Sequence, residues 1–130
     1  MIVQITKIGR RYRMGIQVDI QGRTLIISLE GELDYTQAER LRTQIDSAYE
    51  KSPCKHMVMD MSNISFMDSS GIGMIIGRYK NIETRGGQLA LSSMSEPLTK
   101  LYEVSGLAKI VLRAATVKDA IELFGGNTND

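Results

Sequence analysis

The sequence is poor in the residues that carry metal and redox chemistry: one cysteine, Cys54, one histidine, His56, and no tryptophan among 130 residues. A lone cysteine forms no internal disulfide and no cysteine-rich zinc site, which suits a reducing compartment, so a cytoplasmic location is expected. With a single imidazole the chain is poorly equipped for His-ligated metals or for catalysis built on several histidines, and no cofactor is expected. No run approaches the roughly 18 consecutive apolar residues of a membrane span, and the start lacks the apolar stretch of a secretory signal. Contact with a membrane is therefore not expected.

There is also no charge excess, since the net charge is +1. That balance hides an asymmetry, because Lys7, Arg10, Arg11 and Arg13 crowd into the first fourteen residues and leave a mildly acidic body. A nucleic-acid binder clusters its basic groups on one face of the fold, so no direct nucleic-acid partner is expected. Residues 1–14 read as a solvated basic leader, with Met14 as an alternative start, and 125–130 as a polar, mobile tail. Between them, 15–124 has the length and the ordinary 42% apolar content of one globular domain.

Within that domain the hydrophobic period alternates. Gly15 to Ile20 and Arg23 to Glu30 read as a hairpin turning at Gln21-Gly22. From Thr36 the apolar residues Ala38, Leu41, Ile45 and Ala48 fall three or four apart, with Thr36 and Glu39 as a capping box, and Pro53 closes the segment. His56 to Met61 reads as a central strand. After a loop from Ser62 to Asp68, a second helix carries Ile72, Ile75, Ile76, Tyr79 and Ile82 and stops at Gly86-Gly87. Gln88 to Met94 is a strand, Ser95 and Pro97 start a third helix, Lys109 to Arg113 is a short strand, and Thr116 caps a last helix. This order predicts an α/β fold: a mixed sheet of about five strands opened by a hairpin and covered by about four helices. In such sheets function gathers at the carboxyl ends of the strands, here the loops Gly31 to Tyr35 and Ser62 to Ser70.

The second loop runs into Asp68-Ser69-Ser70-Gly71. Hydroxyls there stand at a helix N-terminus, whose free N–H groups and dipole favour an anion, so a phosphate on Ser69 could be accommodated. Alternatively Asp68, Ser69 or Ser70 simply caps the helix. A serine nucleophile needs an adjacent base, and His56 stands at the start of the preceding strand, about five residues back from its end, or roughly 16 Å away. Gly71, Gly73 and Gly77 superficially suggest a nucleotide-binding turn, but close helix packing explains their spacing better. Glu30, Glu32 and Asp34 could pair as acid and base, yet solvated charges are the commoner outcome. The eight methionines read as adaptable core filler, with an exposed Met74 available to a partner.

The segments FMDSSGIGMIIGRYK, Gly31-Glu32-Leu33-Asp34 and LYEVSGLAKIV closely resemble the anti-sigma factor antagonists of the STAS domain family, over about residues 15–124. The likeness leans towards the sporulation branch, the antagonists of the anti-sigma F factor. It implies a non-enzymatic partner switch: the unphosphorylated protein binds an anti-sigma factor that is also its serine kinase, freeing a sigma factor. Phosphorylation of the serine after the motif aspartate, here Ser69, abolishes binding, and a PP2C-type phosphatase restores it. By the same resemblance the docking surface comprises Gly31, Glu32, Leu33, Asp34, Asp68, Ser69, Ser70, Ile72, Gly73 and Arg78. A general stress-response antagonist, or a nucleotide-binding domain using the Gly71/Gly73 helix start, stands as the alternative.

Overall fold

The computed structural model describes residues 2–4, 7–8, 11–12 and 15–125. In chain order they form β1 (Ile2–Gln4), β2 (Lys7–Ile8), β3 (Arg11–Tyr12), β4 (Gly15–Gln21), β5 (Thr24–Leu33), α1 (Tyr35–Lys51), β6 (His56–Met67) and α2 (Ser69–Thr84). Then follow β7 (Leu89–Ser92), α3 (Glu96–Val104), a 3-10 turn (Leu107–Lys109), β8 (Leu112–Ala114) and α4 (Val117–Leu123). The five expected strands make the mixed sheet, in the order β4-β5-β6-β7-β8, and β1 adds a short sixth strand antiparallel to β4. The side chains of the basic leader and the tail at 126–130 lie outside the described residues.

The period-2 pattern of β4 and β5 places Ile16, Val18, Leu25, Ile27 and Leu29 on one face. α1 lays Leu41, Ile45 and Tyr49 onto that core, and α2 adds Ile72, Met74, Ile75 and Ile82. The opposite face packs Ile26, Val58 and Ala90 against Ala120 and Phe124 of the last helical segment. Each fully buried aliphatic side chain contributes about 1.5–3 kcal/mol through removal of apolar area from water.

Several boundaries differ from the sequence reading. The hairpin turns at Gly22-Arg23, because Gln21 pairs with Thr24 and only Gly22 of the two loop residues has positive φ, +61°, as in a II′ turn. The two expected loops are largely strand: β5 runs on through Leu33 and β6 through Met67. The cause is a doubly bulged register. Between Ser28/Asp60 and Glu30/Asn63, and again between Gly31/Ile64 and Glu32/Phe66, β6 advances one residue further than β5. Each extra residue breaks the in-out alternation, so Ser62-Asn63-Ile64-Ser65-Phe66 loses its strand signature while remaining hydrogen-bonded. Gly31, at φ +111°, takes a backbone that other residues rarely adopt.

The capping box expected at Thr36 and Glu39 is displaced by Asp34, whose side chain accepts from the Gln37 N–H at 3.1 Å, leaving Thr36 inside α1. Lys109 to Arg113 does not start as a strand. The left-handed Gly106 winds Leu107–Lys109 into a 3-10 turn first, which moves β8 to Leu112–Ala114.

Candidate functional site

The site is built where the carboxyl ends of β5 and β6 turn into α1 and α2. Leu33 and Met67 are register partners, and the Asp68 N–H donates to the Leu33 carbonyl at 3.4 Å. Two helix N-termini therefore start side by side, one capped by Asp34 and the other by Asp68. The approach is too close for a side chain at Gly71, where a Cβ would stand 2.6 Å from the Leu33 oxygen. Packing thus explains Gly71 as expected. It does not explain Gly73 or Gly77, around which a Cβ would meet nothing within 4 Å.

Asp68 resolves the capping question. Its Oδ1 accepts from the Ser70 N–H at 2.8 Å and the Gly71 N–H at 3.3 Å. Neither serine caps the helix, and Ser69 stands exposed as the first residue of α2. Two of the amides at the Gly71/Gly73 helix start are thereby already engaged. The one histidine is remote from Ser69, because the whole of β6 separates them, roughly 40 Å at about 3.3 Å per residue. His56 is instead a packed residue: Nδ1 accepts from the Gln88 N–H at 3.0 Å and the ring stacks on Phe124 with centroids 4.8 Å apart.

The other residues anticipated for the docking surface separate by exposure. Glu32, Ser69 and Gly73 are exposed; Gly31, Asp34, Asp68 and Ser70 are partly so. Leu33, Ile72 and Arg78 point inward instead. Arg78 is 7% exposed. Its Nε lies 2.7 Å from Asp46 Oδ1, its Nη1 donates to the Met74 carbonyl at 3.3 Å, and Asn81 Nδ2 donates to the same Asp46 oxygen at 3.4 Å. Burial pulls the guanidinium's pKa down and Asp46 opposes that shift. Met74, expected on the surface, is 5% exposed. The reason is a wider apolar arc: α2 packs on the sheet and on α1 at once, burying 71, 74, 75, 78 and 82 at three- and four-residue spacing.

Two features of the site escaped the sequence reading. Phe66, the register partner of Glu32, is 49% exposed, and Tyr35, the first residue of α1, is 79% exposed. Their only sequence signals are an aromatic closing a polar run and an aromatic directly after a capping aspartate. A trough of about 250 Å³ also opens beside Ser70, between Ala38 and Arg42 of α1 and Gly73 and Gly77 of α2. Among the described residues no group of three or more His, Cys, Asp or Glu is placed to hold a metal ion, and no helix is long and apolar enough to cross a membrane.

Residues 15–120 match the model of the STAS domain family. The chain is 40% identical, over 75% of its own length and 86% of the relative's, to an anti-sigma F factor antagonist of Paenibacillus polymyxa. Among solved structures, the anti-sigma factor antagonist SpoIIAA in its unphosphorylated form is 28% identical and superposes with a TM-score of 0.66, covering 86% of this chain and 99% of that one. The Bacillus cell fate determinant SpoIIAA in the phosphorylated form is 31% identical, with a TM-score of 0.63 over 83% of this chain and 97% of that one. With that sheet, those paired helix starts and these relatives, the chain belongs to the STAS domain family.

Proposed function

We propose that this chain is an anti-sigma factor antagonist that binds an anti-sigma factor serine kinase while Ser69 is unmodified, frees a sigma factor for sporulation transcription, and loses its partner when Ser69 is phosphorylated. It works as a cytoplasmic binding protein rather than as an enzyme, and a PP2C-type phosphatase returns it to the binding state. The observation that carries this reading is the exposed Ser69 hydroxyl at the start of α2, beside a cap that Asp68 already supplies. Relatives named as anti-sigma F factor antagonists, and a relative solved in both phosphorylated and unphosphorylated forms, support it.

A phosphoserine adds a charge of about −1.5 to −2. Next to Asp68, and inside an interface, that charge brings repulsion and a desolvation cost. Moving a partner from 99:1 bound to 1:99 takes about 5.5 kcal/mol of differential binding, a scale that one buried phosphate can approach.

The test is calorimetric titration of the full chain into an anti-sigma F factor with ADP, before and after treatment with that kinase and ATP. Tight binding before and none after, with the phosphate mapped to Ser69, is the expected result. Ser69→Ala should bind and escape control, whereas Ser69→Asp should lose binding while melting like the wild type. Absence of binding by the unmodified chain overturns the proposal. Preference for an anti-sigma factor of the stress-response type would move the chain to that pathway with the same switch.

A further inference from the structure

The two segments that build the site, 24–39 and 57–77, contain no lysine or arginine, while they hold Glu30, Glu32, Asp34, Glu39, Asp60 and Asp68. Of these, Glu30 and Glu32 are exposed near the carboxyl end of β5, and Asp34 and Asp68 are partly exposed at the two helix starts. The cations Arg23, Lys55 and Arg85 stand at the other end of the same strands, in the hairpin turn, just before β6 and just after α2. Carboxylates therefore crowd the ends of β5 and β6, while Arg40 and Arg42 follow one to two turns on in α1, with Arg42 paired to Glu39. An independent feature of that end is its exposed aromatic surface. Phe66 lies one strand spacing from Glu32, roughly 4.8 Å between neighbouring backbones. Tyr35 follows the Asp34 cap directly. Among the described residues, the remaining large exposed apolar ones, Val104, Ile110 and Leu123, belong to α3, the turn after it and α4.

Aromatic side chains left in water beside clustered carboxylates are the anatomy of an interface whose anchors are apolar and whose rim is polar. Resting on the reading of the chain as a binding protein at this site, we infer that its partner meets the surface with a cationic rim around an apolar recess that takes Phe66 and Tyr35. The rim acts at long range and sets the association rate, because like-signed focusing of field lines steers encounter. The recess acts at contact and sets the dissociation rate.

Stopped-flow association of the full chain with the anti-sigma F factor, in low and high sodium chloride, separates these parts. Between 50 and 500 mM salt the wild-type association rate should fall at least about tenfold. Glu32→Lys should lower that rate several-fold at low salt, whereas Arg23→Glu at the far end should not. Phe66→Ala and Tyr35→Ser should leave association nearly unchanged and raise dissociation about tenfold or more. Melting temperatures within a degree or two of wild type would keep these results free of folding effects. Binding whose rates are indifferent to salt, to Glu32→Lys and to both aromatic substitutions overturns the inference and leaves the functional proposal standing. No binding by the wild type overturns both.

Discussion

Arg78 Nε lies 2.7 Å from Asp46 Oδ1, so the one arginine of the segment that opens α2 is turned inward to tie that helix to α1. Removing one partner of such a buried pair strands the other. Asp46→Ala should cost about 3 kcal/mol by leaving the guanidinium without its counter-ion, and Arg78→Met about 1–2 kcal/mol, since Asp46 keeps some contact with water. The double variant should cost less than the sum. A urea-denaturation cycle measures this, and strict additivity would show that the two side chains are not coupled.

Gly71 and Gly73 should respond oppositely to alanine. At Gly71 the new methyl would push on the Leu33 carbonyl and the Met67 side chain, both under 3 Å away, costing about 1–3 kcal/mol. At Gly73 it meets open space, and the better helix propensity of alanine should stabilise by about 0.5–1 kcal/mol. Chemical denaturation of the two variants decides it; equal destabilisation would contradict the open trough.

Asp68 and Ser69 are neighbours with different duties. Asp68→Ala removes the acceptor for two amides and should cost about 1–2 kcal/mol, while Ser69→Ala, which removes no cap, should stay within about 0.5 kcal/mol of wild type. Thermal melts of both variants test the assignment, and a Ser69 loss as large as the Asp68 loss would return the capping role to the serine.

Stability should decline at alkaline pH. Burial raises the pKa of the Cys54 thiol and of the Tyr49 phenol, with Arg85 partly offsetting both shifts. Both groups are neutral when protonated, and the Tyr49 hydroxyl donates to the Lys55 carbonyl at 2.7 Å. Their contribution is thus complete below their unfolded pKa values, about 8.5 and 10, and is lost as pH rises through the higher folded values. Melting temperature should fall from pH 8 to 10.5, more gently in Tyr49→Phe. A flat profile in the wild type would contradict the burial account. Native Cys54 should also resist alkylation at pH 8 until the chain is unfolded.

The architecture was legible because its elements obey their periods. Leu41, Ile45 and Tyr49 make a helical stripe and Leu25, Ile27 and Leu29 alternate as a strand, so local pattern and tertiary burial agree. The site was legible by position and not by shape. Gly31 to Asp34 and Asp68 to Ser70 do meet, but where bulged strands run into two helix starts, and bulges erase the alternation by which strands are recognised. Exposure was the least legible property. Met74 and Arg78 are buried because a second helix packs on α2, and Phe66 is exposed because two register shifts turn it out of the core. Both depend on contacts between segments far apart in the chain.

Asp68 keeps the Ser70 and Gly71 amides at the start of α2 engaged. A phosphate on Ser69 would find those two amides already taken. The chain would then keep no memory of its modification in its fold: writing or erasing the mark would require no refolding and show no hysteresis. Under the proposed switch the tempo would belong to the enzymes acting on Ser69, and the domain would serve as the tablet on which they write.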